Sequence, residues 1–262
     1  MVSAMWGGEW DIHWLDEVDS TNTYVRDRAR RGAPAGLVAV ADHQTAGRGR
    51  LDRRWESPPG ANLLASVLLR PGCGAEDVHL CAGAVALAGA DACRQVAGVE
   101  PVLKWPNDLL LDGAKLAGVL AEAEFTGADL SAVIVGIGIN VAWPGPPEVG
   151  GTSLDDVSGT ARPVDRRVIL DHLLAALEPR CELLEEAAGR QVLADEVRTR
   201  CATLGKRVRV MLAGEELIGR ADAIDDTGRL VVQTASGPRP VSAGDVVHLR
   251  PEQDGDAARG LG

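Results

Sequence analysis

Between Gln44 and Trp55 the chain sets two glycines and four arginines in the order Gln44, Thr45, Ala46, Gly47, Arg48, Gly49, Arg50, Leu51, Asp52, Arg53, Arg54, Trp55. Glycines let a backbone turn through positive φ and bring its N–H groups close to a bound anion, and each guanidinium offers a planar fork of donors that fits carboxylate or phosphate. A solvated basic loop has the same composition, so this segment alone leaves the anion site open. A second segment narrows the choice. Lys104, Trp105, Pro106, Asn107 and Asp108 precede an apolar run at 109–111, a turn at Asp112-Gly113, and then Lys115, Leu116, Ala117 and Gly118. Two lysines thereby bracket one hairpin, and side-chain alternation allows both to project into a single cleft.

Periodicity names the elements that must hold these residues. Trp10, Ile12 and Trp14 alternate with Asp11 and His13, which predicts a half-buried strand with its tryptophans in the core. Asp19 or Ser20 can cap a helix over 24–31 that ends at Gly32. Residues 37–41 predict a buried strand that delivers the chain to the Gly-Arg segment, 62–69 a second strand, and 76–96 a long alanine-rich helix. Strands over 102–104, 109–111, 115–123 and 130–141 follow. After a loop at 144–151 come helices over 164–188 and 192–203, the first kinked or split at Pro179. Sheet and helices therefore alternate in an α+β pattern. Gly205 marks a change of character: short strands at 208–211, 217–224, 230–234 and 241–249, separated by turn signals, predict a small β-barrel. The expected organisation is one domain over 1–203, a second over 204–250 and a disordered tail over 251–262.

Composition excludes several classes of protein. The chain has 262 residues and a formal net charge of −11, whereas a nucleic-acid surface needs clustered Lys and Arg, so no nucleic acid is expected as the main partner. Met1 to Trp10 lacks a basic start followed by an apolar stretch, and the apolar run at 80–90 is too short to span a bilayer. A cytoplasmic protein without a membrane partner is expected. Cysteines at 73, 81, 93, 181 and 201 are odd in number and form no C-x-x-C pair, which favours reduced, mostly buried thiols over disulfides or zinc. The histidines are scattered and read as structural or exposed rather than as metal ligands, His43 beside the Gly-Arg segment included.

Together, the Gly-Arg-Gly-Arg loop ending in Trp55, the Lys104 to Asp108 block and the Lys115 to Gly118 strand resemble the catalytic core of biotin protein ligases. Val135 to Asn140 resembles the Gly-x-Gly-x-Asn strand end that meets the nucleotide in that family, and Asp19, Ser20, Thr21 and Asn22 resemble its first biotin-binding segment. The resemblance runs in order over nearly the whole chain. It implies a mixed-sheet catalytic domain of the class II synthetase-like (biotin/lipoate ligase) type with an SH3-like C-terminal barrel. The first core strand begins near Trp10, which implies the monofunctional type without an N-terminal winged-helix DNA-binding domain. One position departs from the pattern: Asp52 stands where family members usually have glycine.

The implied reaction has two steps. Biotin carboxylate attacks the α-phosphorus of ATP to give biotinyl-5′-AMP and pyrophosphate, and a lysine of a biotin carboxyl carrier domain then attacks the activated carbonyl. Arg48, Arg50, Lys104, Lys115 and Mg²⁺ would supply positive charge where the anions meet. Arg48 and Arg50 would hold carboxylate and phosphate, Lys115 the oxygen joining them, and Lys104 the phosphates. Asp108 would orient the acceptor amine or take its proton, or act as an outer Mg²⁺ contact or a structural cap; the sequence leaves these open. Ser20, Thr21, Asn22 and Gln44 would serve the ureido ring, with Ser20 and Thr21 also readable as helix caps. Gly47, Gly49 and Gly118 would permit close backbone approach, Asn107 and Asn140 would orient nucleotide, and Trp55 would stack on adenine or close the loop. A lipoate or octanoate ligase, or a regulator that retains biotinyl-adenylate without transferring it, are the alternatives. Monomer and weak homodimer both remain compatible with the sequence.

Overall fold

Alternating apolar residues assemble into a seven-stranded mixed sheet in the order β1-β2-β3-β7-β6-β5-β4. Its elements are β1 (Asp11–Val18), α1 (Thr21–Arg30), β2 (Leu37–Gln44), β3 (Leu63–Leu69), α2 (Val78–Ala97), β4 (Val102–Lys104), β5 (Asp108–Leu111), β6 (Ala114–Thr126) and β7 (Asp129–Ile139). The short α3 (Leu154–Val157) and then α4 (Arg166–Glu185) and α5 (Ala187–Thr199) complete this unit. Strands β1 and β2 are parallel and every other pair is antiparallel. The structure, a computed structural model, describes residues 9–159, 162–212, 214–242 and 244–249; the tail expected over 251–262 lies outside them. The chain divides into two units after Cys201.

The strand period of two sorts the sheet into two faces. Val133, Val135, Ile137 and Ile139 of β7 pack into the main core with Leu87 of α2 and Leu170 and Leu173 of α4. Ala132 and Ile134 face the other way and pack with Val25 and Ala29 of α1. Continuing along that second face, β7 carries Gly136 and Gly138 in place of apolar side chains. The sheet is therefore covered by α1 at one end of this face and stripped of side chains at the other. That bare patch is where the Gly-Arg segment lies.

Three local expectations needed correction. α4 runs through Pro179, and the break falls at Glu186, where φ is −120° and ψ 146°. Arg180 helps hold the turn at the proline: its guanidinium donates to Ala176 O at 2.8 Å and is anchored by Asp91 at 2.8 Å. Ser20 occupies the N-cap of α1, yet its hydroxyl makes no capping bond. In the C-terminal unit, the strand expected over 241–249 is two strands.

That unit comprises β8 (Arg207–Leu212), β9 (Glu215–Ile224), β10 (Leu230–Thr234), β11 (Gly237–Val241) and β12 (Asp245–His248), an antiparallel sheet in the order β11-β10-β9-β8-β12. Pro238 and Pro240 mark β11 as a sheet edge, where a missing N–H costs no ladder bond. Val208, Val210, Leu230 and Val232 are buried and form its small core.

Candidate active site

One row of directly paired residues crosses the sheet: Lys104 opposite Asp108, Asp108 opposite Gly118, Gly118 opposite Gly138, Gly138 opposite Leu64, and Leu64 opposite Ala41. Paired residues project to the same face, so this register brings Lys104 and Asp108 to the edge of a trough floored by Gly118 and Gly138. Lys115 enters from the hairpin whose turn is formed by Asp112 and Gly113, both at positive φ (50° and 84°). Its Nζ lies 2.7 Å from Asp108 Oδ1. Asn107 precedes Asp108 after the cis Trp105–Pro106 bond; its Nδ2 donates to Val119 O at 2.8 Å and its Oδ1 accepts from Arg50 at 3.4 Å. The sequence-derived group Arg50, Lys104, Asn107, Asp108, Lys115 and Gly118 thus converges on one place. Trp105 is buried in the core.

The Gly-Arg segment folds back on itself over the trough. Arg48 bridges Arg54, Gly49 N donates to Arg53 O at 2.7 Å, and Trp55 N donates to Gly47 O at 3.0 Å. A side chain at Gly47 would collide with the Trp55 carbonyl, which gives that glycine a steric reason. The tip turns through two left-handed residues, Leu51 at φ 55° and Asp52 at φ 58°. The glycine usual at position 52 therefore has a conformational basis here, and Asp is among the side chains that tolerate this region. The Trp55 indole lies on the two floor glycines: a Cβ on Gly118 would stand 2.9 Å from its Cζ3, and one on Gly138 would overlap the ring. Lys115 Nζ sits 5.5 Å from the ring centroid, and the indole N–H is buried without an acceptor. A cleft of about 550 Å³ lies between residues 46–54 and the Leu120 and Glu122 side of β6, within the usual range for small-molecule sites.

At the far end of the trough a second polar group takes shape. Gln44 Oε1 accepts from Thr21 N at 2.8 Å and lies 3.1 Å from the Thr21 hydroxyl oxygen. Ser66 Oγ lies 2.7 Å from Thr21 Oγ1 and donates to Asn22 Oδ1 at 2.6 Å. Asn22 Nδ2 in turn donates to Glu122 at 2.7 Å, and Glu122 takes both terminal nitrogens of Arg48 at 2.8 and 2.7 Å and an ion pair from Arg26. Burial alone would raise the Glu122 carboxyl, but the Asn22 hydrogen bond and the charges of Arg26 and Arg48 outweigh it and hold it below the usual carboxylate range.

Two of the expected site side chains have partners within the protein. The Arg48 guanidinium rests on Glu122. Asn140 is buried at 4 % exposure, with its Nδ2 directed at the carbonyls of Lys115, Pro144 and Thr152 and its Oδ1 accepting from Asn62. Its amide helps to fasten the segment after β7. His43 pairs with Glu17 across β1 and β2 at 3.0 Å. The residues that sequence reasoning missed are Ser66, Glu122, Arg26 and Asn62. Ser66 had a signal, as a lone hydroxyl inside the buried run of β3; Glu122 had a weaker one, lying two strand periods beyond Gly118 on the same face. Asp108 is engaged by Lys115 and Glu122 by Arg48, and among the described residues no group of three metal-ligating side chains forms, so the residues suit a divalent ion that arrives on a polyphosphate rather than one caged by protein.

Comparison with known proteins agrees with this geometry. The biotin/lipoate A/B protein ligase family profile matches residues 14–140, and the biotin protein ligase C-terminal domain profile matches residues 203–249. A biotin--[acetyl-CoA-carboxylase] ligase of Mycobacterium tuberculosis is 41% identical over 253 residues, covering 93% of this chain and 91% of that protein. A bifunctional ligase/repressor of Bacillus subtilis is 30% identical, over 88% of this chain and 72% of that protein. Among solved structures, a biotin protein ligase from Aquifex aeolicus in complex with biotin and ATP superposes with a TM-score of 0.75 at 28% identity, covering 92% of this chain and 99% of the other. The mixed sheet is that of the class II synthetase-like ligases and the C-terminal unit is the SH3-like module that accompanies it. With its sheet order, its Gly-Arg loop and its C-terminal module all accounted for, the chain belongs to the biotin protein ligase family.

Proposed function

We propose that this enzyme activates biotin with ATP as biotinyl-5′-AMP and transfers the biotinyl group to one lysine of a biotin carboxyl carrier domain. The observation that carries the reading is the convergence of Arg50, Lys104, Asp108 and Lys115 on a glycine-floored trough roofed by Trp55, with the Gln44–Thr21–Ser66 group at its other end. Such a trough suits a ligand with a flat polar ring at one end and a carboxylate at the other.

In the first step a biotin carboxylate oxygen bonds to the α-phosphorus as the bond to pyrophosphate breaks. Lys115 leaves Asp108 to sit on the bridging oxygen, Arg50 holds the reacting phosphate, and Lys104 faces the departing pyrophosphate. Charges already in place need no reorganisation as negative charge concentrates. Mg²⁺ would ride on the ATP phosphates with Asp108 as the nearest cleft carboxylate, and would supply charge neutralisation there. In the second step the acceptor nitrogen bonds to the carbonyl carbon and AMP leaves with the bonding pair. A lysine amine with an ordinary pKa near ~10.4 must first lose its proton. Glu122 is held by two arginines, which leaves Asp108 to orient that amine and receive the proton. Trp55, already lying on the floor glycines, closes the loop over the adenylate and excludes water.

The test is pyrophosphate release with ATP and Mg²⁺, comparing biotin with lipoate and octanoate. Release should require biotin and fall by about 10²-fold in Arg50→Ala and in Lys115→Ala. Release driven equally well by lipoate would keep the fold and discard the substrate.

A further inference from the structure

We infer that Glu122 is a positioning residue that couples the Gly-Arg loop to the ring-binding end of the trough. The inference rests on the biotin-adenylating function above and adds a residue and a direction of coupling to it. Glu122 stands at the only described place where the loop, the sheet and α1 meet on a single side chain. Its Oε1 takes Arg48 Nη1 at 2.8 Å, while its Oε2 takes Arg48 Nη2 at 2.7 Å and Asn22 Nδ2 at 2.7 Å. Arg26 of α1 pairs with it from the helix side.

The donor directions run one way from this anion. A carboxylate only accepts, so Asn22 must turn its NH₂ to Glu122 and its oxygen to Ser66. Ser66 must then donate to Asn22 Oδ1 at 2.6 Å, which frees its oxygen to receive the Thr21 hydroxyl at 2.7 Å. Gln44 Oε1 is already satisfied by Thr21 N at 2.8 Å. The Thr21 oxygen is left as an acceptor and the Gln44 NH₂ as a donor. A cyclic urea, with N–H donors and a carbonyl acceptor, meets a site whose polarity has been set in advance. Gly136 makes room for this: a Cβ there would collide with Asn22 Oδ1. Because the same carboxylate grips Arg48 with both oxygens, one side chain anchors the loop and sets the polarity of the ring end.

Glutamine at position 122 keeps the shape but loses the charge and one accepting oxygen, so the second Arg48 bond and the Arg26 pair made through Oε1 are lost, and an amide NH₂ turned to either arginine repels it. The experiment uses Glu122→Gln, Ser66→Ala and the double variant in the full chain, with biotin and ATP varied separately. Each single change should raise KM for biotin about tenfold, with kcat and KM for ATP within about twofold, and the double variant should be no worse than the poorer single one. In the unliganded protein, Glu122→Gln should also speed hydrogen exchange in a peptide spanning residues 45–55, while Ser66→Ala should not. Additive losses, an unchanged KM for biotin, or a uniform fall in kcat with unchanged loop exchange would overturn the assignment. If wild-type protein needed no biotin for pyrophosphate release, the functional reading would fail on its own, and the exchange result would still decide whether Glu122 anchors the loop.

Discussion

Two cations of the cleft, Lys115 and Arg48, already have a carboxylate beside them, and this shapes how they can act. The Lys115–Asp108 pair at 2.7 Å holds a long flexible side chain in position before ligand arrives, at the cost of a partner that must be exchanged for the substrate anion. The Lys115 side chain is 25% exposed and that of Asp108 19%, so the pair is less screened than one on the open surface. Asp108→Asn separates the two half-reactions. Adenylation should stay within about threefold, because an amide no longer competes for Lys115, whereas transfer to an acceptor domain should slow by at least about tenfold through loss of the proton acceptor. A burst of pyrophosphate with slow appearance of biotinylated acceptor would show this; equal slowing of both steps would remove Asp108 from the transfer chemistry.

Strand glycines and the loop tip act together at the scale of elements. Gly118 on β6 and Gly138 on β7 are paired neighbours, and between them they make the floor on which Trp55 lies. Gly138→Ala should lift the indole, raise KM for both biotin and ATP by about tenfold, and leave the melting temperature within a few degrees, because the added methyl meets a movable side chain rather than backbone. The loop tip carries a different tension. Two consecutive non-glycine residues at positive φ, Leu51 and Asp52, cost on the order of 1–2 kcal/mol each by comparison with glycine. Arg48 on Glu122 and Trp55 on the glycines oppose that strain. Replacing the pair by Asn-Gly, the dipeptide such a turn favours, should stabilise the closed loop by about 1 kcal/mol and slow loss of bound adenylate about fivefold. A fluorescent or radiolabelled adenylate chase would measure it, and faster release would mean that the liganded loop uses another turn.

Across the catalytic unit as a whole, a half-buried ion network ties together the helices that back the sheet. Arg180 of α4 reaches Asp91 of α2 at 2.8 Å, Arg200 reaches the same carboxylate at 2.7 Å, and Glu196 of α5 pairs with Arg180. Burial would raise the Asp91 carboxyl, yet its hydrogen bonds and charge contacts with Arg200 and Arg180 prevail and hold it below its ordinary value. A carboxyl whose pKa is lower in the folded state adds stability that is complete above the unfolded value, near ~3.9, and is lost as pH falls through the lower folded value. Asp91→Ala should destabilise the fold by about 3 kcal/mol at neutral pH, because two arginines lose their shared partner. It should also flatten the decline in urea midpoint as pH falls below about 4. An unchanged acid limb would place the titrating groups elsewhere. No described helix is long and apolar enough to cross a membrane.

The sequence by itself determined the residues that share chemistry and most of the elements that carry them. Gly47 to Trp55, Lys104 to Asp108 and Lys115 to Gly118 were legible because charge, glycine and turn signals are local, and strand and helix periods need only neighbouring residues. Register was not legible. That Lys104, Asp108, Gly118 and Gly138 form one row depends on pairing among four strands, and a slip of one residue would send each side chain to the opposite face. Side-chain partners were equally hidden. That Glu122, far along the chain, holds Arg48, and that the carbonyls of Pro144 and Thr152 meet the Asn140 amide, are long-range facts that no local pattern announces. Pro179 predicted a break that anchoring of Arg180 by Asp91 and Glu196 helps to prevent. Local composition names the groups that can react, whereas only long-range packing decides which are free to do so, because a buried charge or amide takes whatever partner the tertiary structure brings within reach.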